Sequence, residues 1–404
     1  MHLSQLSRHF SFAVLFTFSL ASLAQENSPS RPWGARGRSR NPQRAMPAAT
    51  LDTEGNHVNA HGGCIIAHDG QWLWYGEARP ERGFTSLGVN LYTAPIAESQ
   101  TKASDAPLSL PWTKQGLVLS VVDETGSPIE RGCIIERPKV VWNERTKLFV
   151  MIFHLELKGQ GYAAAMTGFA TSPKPEGPFT FHHAQRPNAN HWPADFTEAD
   201  IQKASSLKES DYPEWWTPTW RVAIKEGLLL ARDFKAGQMS RDMTVFVDDD
   251  GTAWHIFSSE ENLTIQAAEL TPDYLGYTGR YYRIAPGGQN EAPCLMKRNG
   301  TYWLICSGCT GWTPNEARMF SSKSIAGPWT QHESPMRGDD AKRTFGGQGT
   351  WIWHQTSVEN EDLFFMADVW MPHSLANSRH LCIPITFDEE EKPVIEQKKK
   401  AEEP

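Results

Sequence analysis

Five polar residues each open an apolar run: His61 in "HGGCII", Glu136 in "ERPKVVW", Asp242 in "RDMTVFV", Glu291 in "EAPCLM" and Gln348 in "QGTWIW". Three of them are carboxylates. Brought to one place, three carboxylates repel one another unless they are hydrogen-bonded, paired with cations or partly protonated. Held apart as strand-end caps, they would need no more than local ion pairs such as Glu136–Arg137 and Arg241–Asp242. The chemistry that uses convergent carboxyl groups is cleavage of a glycosidic bond. One acid protonates the departing oxygen, and a second group activates water on the opposite face or attacks the sugar directly. The acid needs a raised pKa, from burial or a like charge nearby. Glu291, followed by Ala292-Pro293-Cys294, has an apolar setting for that.

The elements that would bring these residues together form a repeat. An apolar strand, a polar turn and an aromatic strand recur at 62–77, 136–154, 241–259 and 291–308, with a looser copy at 346–368. Asp69-Gly70, Asp250-Gly251 and Asn299-Gly300 are hairpin turn signals. "GFATSPKPEGPFTF" (168–181) and "MFSSKSIAGPWTQH" (319–332) share a small-residue strand, a loop and Gly-Pro-aromatic, as expected of outer blade strands. The predicted fold is all-β, a five-bladed β-propeller. In a propeller the first strand of each blade lines the channel, so the five opening residues converge on one axis. Residues 183–235 interrupt the repeat as a long insertion, helical around "TEADIQKASSLKE".

Composition bounds the rest. With 39% hydrophobic and 21% charged residues, the chain falls in the globular class. The net charge of −8 argues against nucleic-acid binding. The 16 Trp suit sugar stacking, though most are expected to fill a β core. Arg8 and His9 precede the apolar run 10–24, which ends Ser22-Leu23-Ala24; this predicts a cleaved signal peptide over 1–24 and a secreted or periplasmic protein. No later run is long enough to span a membrane. A flexible linker is expected over 25–48, the propeller over 49–390 and a charged, frayed tail over 391–404. The six Cys sit mostly in apolar runs and read as buried free thiols; Cys306 and Cys309 have CxxC spacing without a second pair to complete a zinc site. "DDDG" (248–251) is shaped like a calcium loop but lacks the later Glu, and it falls at a hairpin turn. No motif demands a cofactor, and a channel cation stays open.

The motifs "AHGG", "WYGE", "ERPK", "RDM" with "SSEEN", "EAP" and "SGCTGW" resemble those of glycoside hydrolase family 43. More narrowly, they resemble its branch of exo-β-1,3-galactanases and β-galactosidases. The resemblance spans roughly residues 50–388. It implies a five-bladed propeller that inverts anomeric configuration on an oligo- or polysaccharide. It gives Glu291 the general-acid position, and Asp242 the position that tunes the acid and orients the sugar. Most of the family carries an aspartate base on the first blade, and "NAHGGCII" has none. In the branch a glutamine on the fifth blade takes that place, as the amide or as its imidic-acid tautomer, and Gln348 falls there. A neutral amide is a very weak base, so the group acting on the water stays open between Gln348 and Glu136. By the same resemblance Glu77, Asn262, Thr310 and Trp312 are candidate sugar contacts, with His61 at the equivalent place on blade one. Glu260 and Glu261 read as a polar turn; Trp74, Tyr75 and Trp303 read as core. An α-L-arabinofuranosidase of the same fold and a non-catalytic galactan-binding propeller are the competing expectations.

Overall fold

The computed structural model describes residues 46–96, 107–356 and 361–397. The expected signal peptide and most of the expected linker lie outside them. Blade one contains β1 (His61–His68), β2 (Gln71–Ala78), β3 (Gly88–Pro95) and β4 (Thr113–Ser120). Blade two contains β5 (Ile134–Asn143), β6 (Leu148–Glu156), β7 (Met166–Ser172) and β8 (Thr180–Gln185). Three helices follow: α1 (Glu198–Ser206), α2 (Pro218–Glu226) and α3 (Leu228–Asp233). Blade three contains β9 (Met243–Val247), β10 (Ala253–Ser259), β11 (Thr264–Leu270) and β12 (Tyr277–Ile284). Blade four contains β13 (Asn290–Arg298), β14 (Thr301–Gly308), β15 (Arg318–Ser322) and β16 (Thr330–His332). Blade five contains β17 (Met336–Arg337), β18 (Gln348–Thr356), β19 (Glu361–Val369), β20 (Arg379–Phe387) and β21 (Pro393–Glu396).

Each of the first four sheets is a meander of adjacent antiparallel strands, as hairpin turns require. At Asp69-Gly70 and Asn299-Gly300 both turn residues have positive φ, which matches the right-handed twist of the strands they join. The "DDDG" segment is a hairpin turn too; Asp248 accepts from Lys297 Nζ at 2.5 Å.

The blades are held by side chains packed between neighbouring sheets. Separate apolar clusters join blades one and two, two and three, three and four, four and five, and five and one. Fully burying a large aliphatic or aromatic side chain is worth roughly 1.5–3 kcal/mol, so each interface contributes substantially. Trp74 and Tyr75 lie in these cores, as does Trp303. The ring closes between β1 and β18, where Trp351 Nε1 donates to Ile65 O at 3.1 Å and Trp72 meets Trp353 edge-on at 4.8 Å.

Three expectations need correcting or completing. The frayed tail does not begin at 391: Pro393–Glu396 forms β21, paired with β20 and β17, and Ile395 is fully buried. The rest of the tail, from 398, lies outside the described residues. The insertion is helical at 198–206 as expected, but also at 218–233. There Thr217 caps the Trp220 amide, Pro218 starts the helix, and Trp220, Ala223 and Ile224 form its buried face. Finally, Glu260 and Glu261 do lie in the expected polar turn, but Glu260 is buried there against Arg283, with contacts of 2.6 and 2.8 Å. All six cysteines are free; four are buried, and Cys309 and Cys382 are half-buried.

Candidate active site

The opening residues of the inner strands are aimed by a shared distortion. Strand pairing slips after His61, Glu136 and Glu291, and again after Gly349, leaving an extra residue on the inner strand. Such β-bulges re-aim the side chain beside them. In the first three cases the next residue is left-handed: Gly62 at φ 63°, Arg137 at 54° and Ala292 at 51°. Pro138 and Pro293 follow, which lack the N–H that a regular ladder would demand. The sequence patterns "HGGC", "ERPK" and "EAPC" are therefore one bulge written three ways. Asp242 differs. It sits just before β9, where Ser258 N donates to its carbonyl at 2.8 Å.

Glu291 is half-buried, and its Oε1 accepts from Asn262 Nδ2 at 2.7 Å. Burial, then the negative charge of Asp242, push its carboxyl up to about 7. Asn262 ends a turn in which Glu260, Glu261 and Asn262 are all left-handed, at φ 51°, 57° and 61°. Left-handed backbone costs non-glycine residues about 1–2 kcal/mol each. The turn is held by the Glu260–Arg283 pair and by Glu261, which meets Arg232 at 3.2 Å and Arg241 at 3.3 Å. Cys309 also touches the acid, and its thiol donates to Asn262 O at 3.3 Å.

Arg137 is the hub. Its guanidinium grips Asp242 through two bonds of 3.2 and 3.0 Å and donates to Gly349 O at 2.9 Å and to Gln348 Oε1 at 2.7 Å. Trp370 Nε1 is a second donor to Gln348 Oε1, at 2.9 Å. Gln348 Nε2 donates to Ser307 Oγ at 3.1 Å, and Ser307 lies opposite Glu291 in the β13–β14 ladder.

Glu136 has a different surrounding. Oε1 accepts from Arg79 at 2.9 Å and Tyr162 at 2.8 Å, and Oε2 lies 3.2 Å from His154 Nδ1. Burial pushes this carboxyl up, but His154, Arg79 and Tyr162 together outweigh it and hold Glu136 at about 2. His154 is itself clasped by Glu156 at 2.9 Å; burial works against its charge, but the two carboxylates keep it up at about 9.

Glu136, Asp242, Glu291 and Gln348 are thus joined through Arg137, Arg79 and their neighbours at one end of the channel. The other expected contacts fare unevenly. Asn262 touches the acid. Trp312 is 47% exposed, its ring edge-on to Trp370 at 5.8 Å and to Phe84 at 6.1 Å, so it has a free face at the rim. Thr310 is exposed but tied into its own turn through Thr313 O and Asn315. Glu77 is buried beneath the site, its oxygens taken by Arg79 and the Arg137 amide. It supports the floor and offers no surface to a sugar. His61 is fully buried, stacked on His380 at 4.5 Å and bonded to Ser378 O. It seals the closure of blades one and five, which corrects its expected place among the sugar contacts. Arg79, Arg137, His154, Tyr162, Ser307 and Trp370 were not expected. Only two of them carried a signal, Arg137 as the residue after the acid in "ERPK" and Ser307 as the first residue of "SGCTGW". Among the described residues no group of three or more His, Cys, Asp or Glu is placed to hold a metal, and no helix is long and apolar enough to cross a membrane.

The comparisons with known proteins agree with this architecture. The family model described as glycosyl hydrolases family 43 matches residues 209–393. A solved β-1,3-galactosidase of that family, BT3683, in complex with galactodeoxynojirimycin, is 47% identical; the match covers 89% of this chain and 99% of that one, with a TM-score of 0.81. An exo-β-1,3-galactanase from Clostridium thermocellum is 30% identical over 87% of this chain and 64% of its own, with a TM-score of 0.67. A curated β-D-galactofuranosidase, xynD of Aspergillus niger, is 31% identical over 117 residues, 28% of this chain and 34% of that protein. The match thus spans about a third of the curated relative.

Proposed function

Starting from the fact that the chain belongs to glycosyl hydrolase family 43, we propose that it is an exo-acting β-galactosidase that hydrolyses β-1,3-galactan or arabinogalactan side chains with inversion. The observation that carries this reading is the state of Glu291: a half-buried carboxyl, pushed up to about 7 beside Asp242, on a chain 47% identical to a β-1,3-galactosidase. A group titrating near neutrality can be protonated before the reaction and ionised after it, as a general acid must be.

In the proposed reaction Glu291 gives its proton to the departing glycosidic oxygen as the bond to the anomeric carbon breaks. Water adds to that carbon from the opposite face. The oxygen just bonded carries positive charge and is strongly acidic, so it sheds its proton to solvent without a strong base. Glu291 regains a proton from solvent. Asp242, fixed by Arg137, keeps the acid protonated and orients the sugar. Gln348 holds the water. Glu136 is a poor base at about 2 and serves as a fixed acceptor for sugar hydroxyls. Trp312 offers its exposed face to the sugar at the rim. The polysaccharide is met outside the cytoplasm, after cleavage behind Ala24; mass spectrometry of the mature N-terminus tests that step.

The similarity to a β-D-galactofuranosidase favours a five-membered galactose ring as the second reading. Assays on β-1,3-galactan, nitrophenyl β-D-galactopyranoside, β-D-galactofuranoside and α-L-arabinofuranoside separate the readings. Galactose from the first two supports the proposal. Turnover confined to a furanoside replaces it. Galactan binding without release of sugar favours a non-catalytic propeller.

A further inference from the structure

The carboxamide of Gln348 has two unlike ends, one accepting and one donating. Its oxygen faces two groups that can only donate, the Arg137 guanidinium at 2.7 Å and the Trp370 indole N–H at 2.9 Å. Turned end for end, the amide would set its NH2 against both donors and leave three polar groups without partners. The surroundings therefore fix the direction of the amide. The two donors are themselves held. Arg137 is 3% exposed and clamped by Asp242 and Gly349 O. Trp370 lies under the Arg137 guanidinium at 5.5 Å and meets the Trp312 ring edge-on. With the oxygen taken twice and one amide hydrogen on Ser307, the group that Gln348 has left to offer is its second N–H.

We infer that Arg137 and Trp370 are positioning residues that lock the Gln348 amide so that its N–H, not its carbonyl, holds the attacking water. The inference rests on the reading above that Gln348 meets that water. No proton passes to Gln348. The N–H occupies one lone pair of the water and leaves the other aimed at the anomeric carbon. Two donors on the amide oxygen draw electron density toward it, which makes the N–H a better donor and the nitrogen a poorer base. An imidic-acid form would need a hydrogen on this oxygen, where two donors already point.

The lock predicts a specific non-additivity. A carboxylate has two equal ends and needs no orienting, whereas an amide does. Trp370→Phe should lower kcat on β-1,3-galactan by roughly tenfold or more, since small misplacements of reacting groups cost up to about a hundredfold. KM should move by less than about threefold. In the Gln348→Glu background the same replacement should cost less than about threefold in kcat. Equal losses in both backgrounds would overturn the lock while leaving the hydrolase reading in place. A second readout is independent of turnover. With 15N-indole-labelled tryptophan, the Trp370 N–H resonance should lie downfield and exchange slowly, and Gln348→Met should move it upfield and speed its exchange. An indole resonance unchanged by Gln348→Met overturns the inference whether or not the protein cleaves galactan.

Discussion

At the scale of the residue, the account turns on one carboxyl. Glu291 must be protonated to act, so kcat/KM should fall about tenfold per pH unit above roughly pH 7, the value to which burial and Asp242 push it. Asp242→Asn removes the like charge and frees Arg137, and both changes favour ionised Glu291. The basic limb of the pH–rate profile should therefore move to lower pH. A limb unmoved by Asp242→Asn would show that the two groups do not feel each other. The same shift has a cost in stability. The folded pKa lies above the unfolded one, so the penalty is absent below about pH 4.5, grows between there and 7, and is complete above 7. Glu291→Gln should leave stability near pH 4 almost unchanged and raise it by about 1–3 kcal/mol at pH 8, read by urea unfolding at both pH values.

At the scale of the element, the bulge does the positioning. Gly62 shows how little freedom it leaves. A Cβ there would stand 2.2 Å from Glu77 Oε1, at a φ of 63° that side chains avoid. Gly62→Ala should cost about 2–4 kcal/mol in folding stability and disturb the Glu77–Arg79–Glu136 floor, so that activity falls with it. Wild-type stability and activity in this variant would mean that the floor is not rigid. The strand openings were legible in sequence from the repeated apolar runs and turn dipeptides, and at His61, Glu136 and Glu291 the bulge adds a written trace, a polar residue followed two positions on by Gly or Pro. Most of their partners were not. Arg79 and Glu136 are 57 positions apart, and Gln348 and Arg137 are 211 apart. Pairings of that span follow from the closed ring and leave no local pattern. His61 was misjudged for the converse reason: its place in the repeat is equivalent, but its ring turns into the blade interface.

At the scale of the whole molecule, five interblade cores, one of them the closure of the ring, hold the site's parts in register. The blade count and the hairpins were legible from periodicity and turn dipeptides. The last strand was not, because "KPVIE" sits within a charged tail whose composition outweighs four residues of alternating pattern. Ending the chain at residue 390 removes β21 and the buried Ile395, worth about 2–3 kcal/mol of burial before the lost ladder is counted. Thermal unfolding should shift to lower temperature by several degrees, and an unshifted transition would show that β21 does not help hold blade five together. The central claim is that this ring assembles a single-displacement machine for β-galactosides around Glu291. Proton NMR of wild-type enzyme and Glu291→Gln digesting β-1,3-galactan tests it most directly. The account predicts that α-galactose appears first with wild type and that the variant releases at least about a thousandfold less. First release of the β-anomer, or undiminished release by the variant, would contradict it.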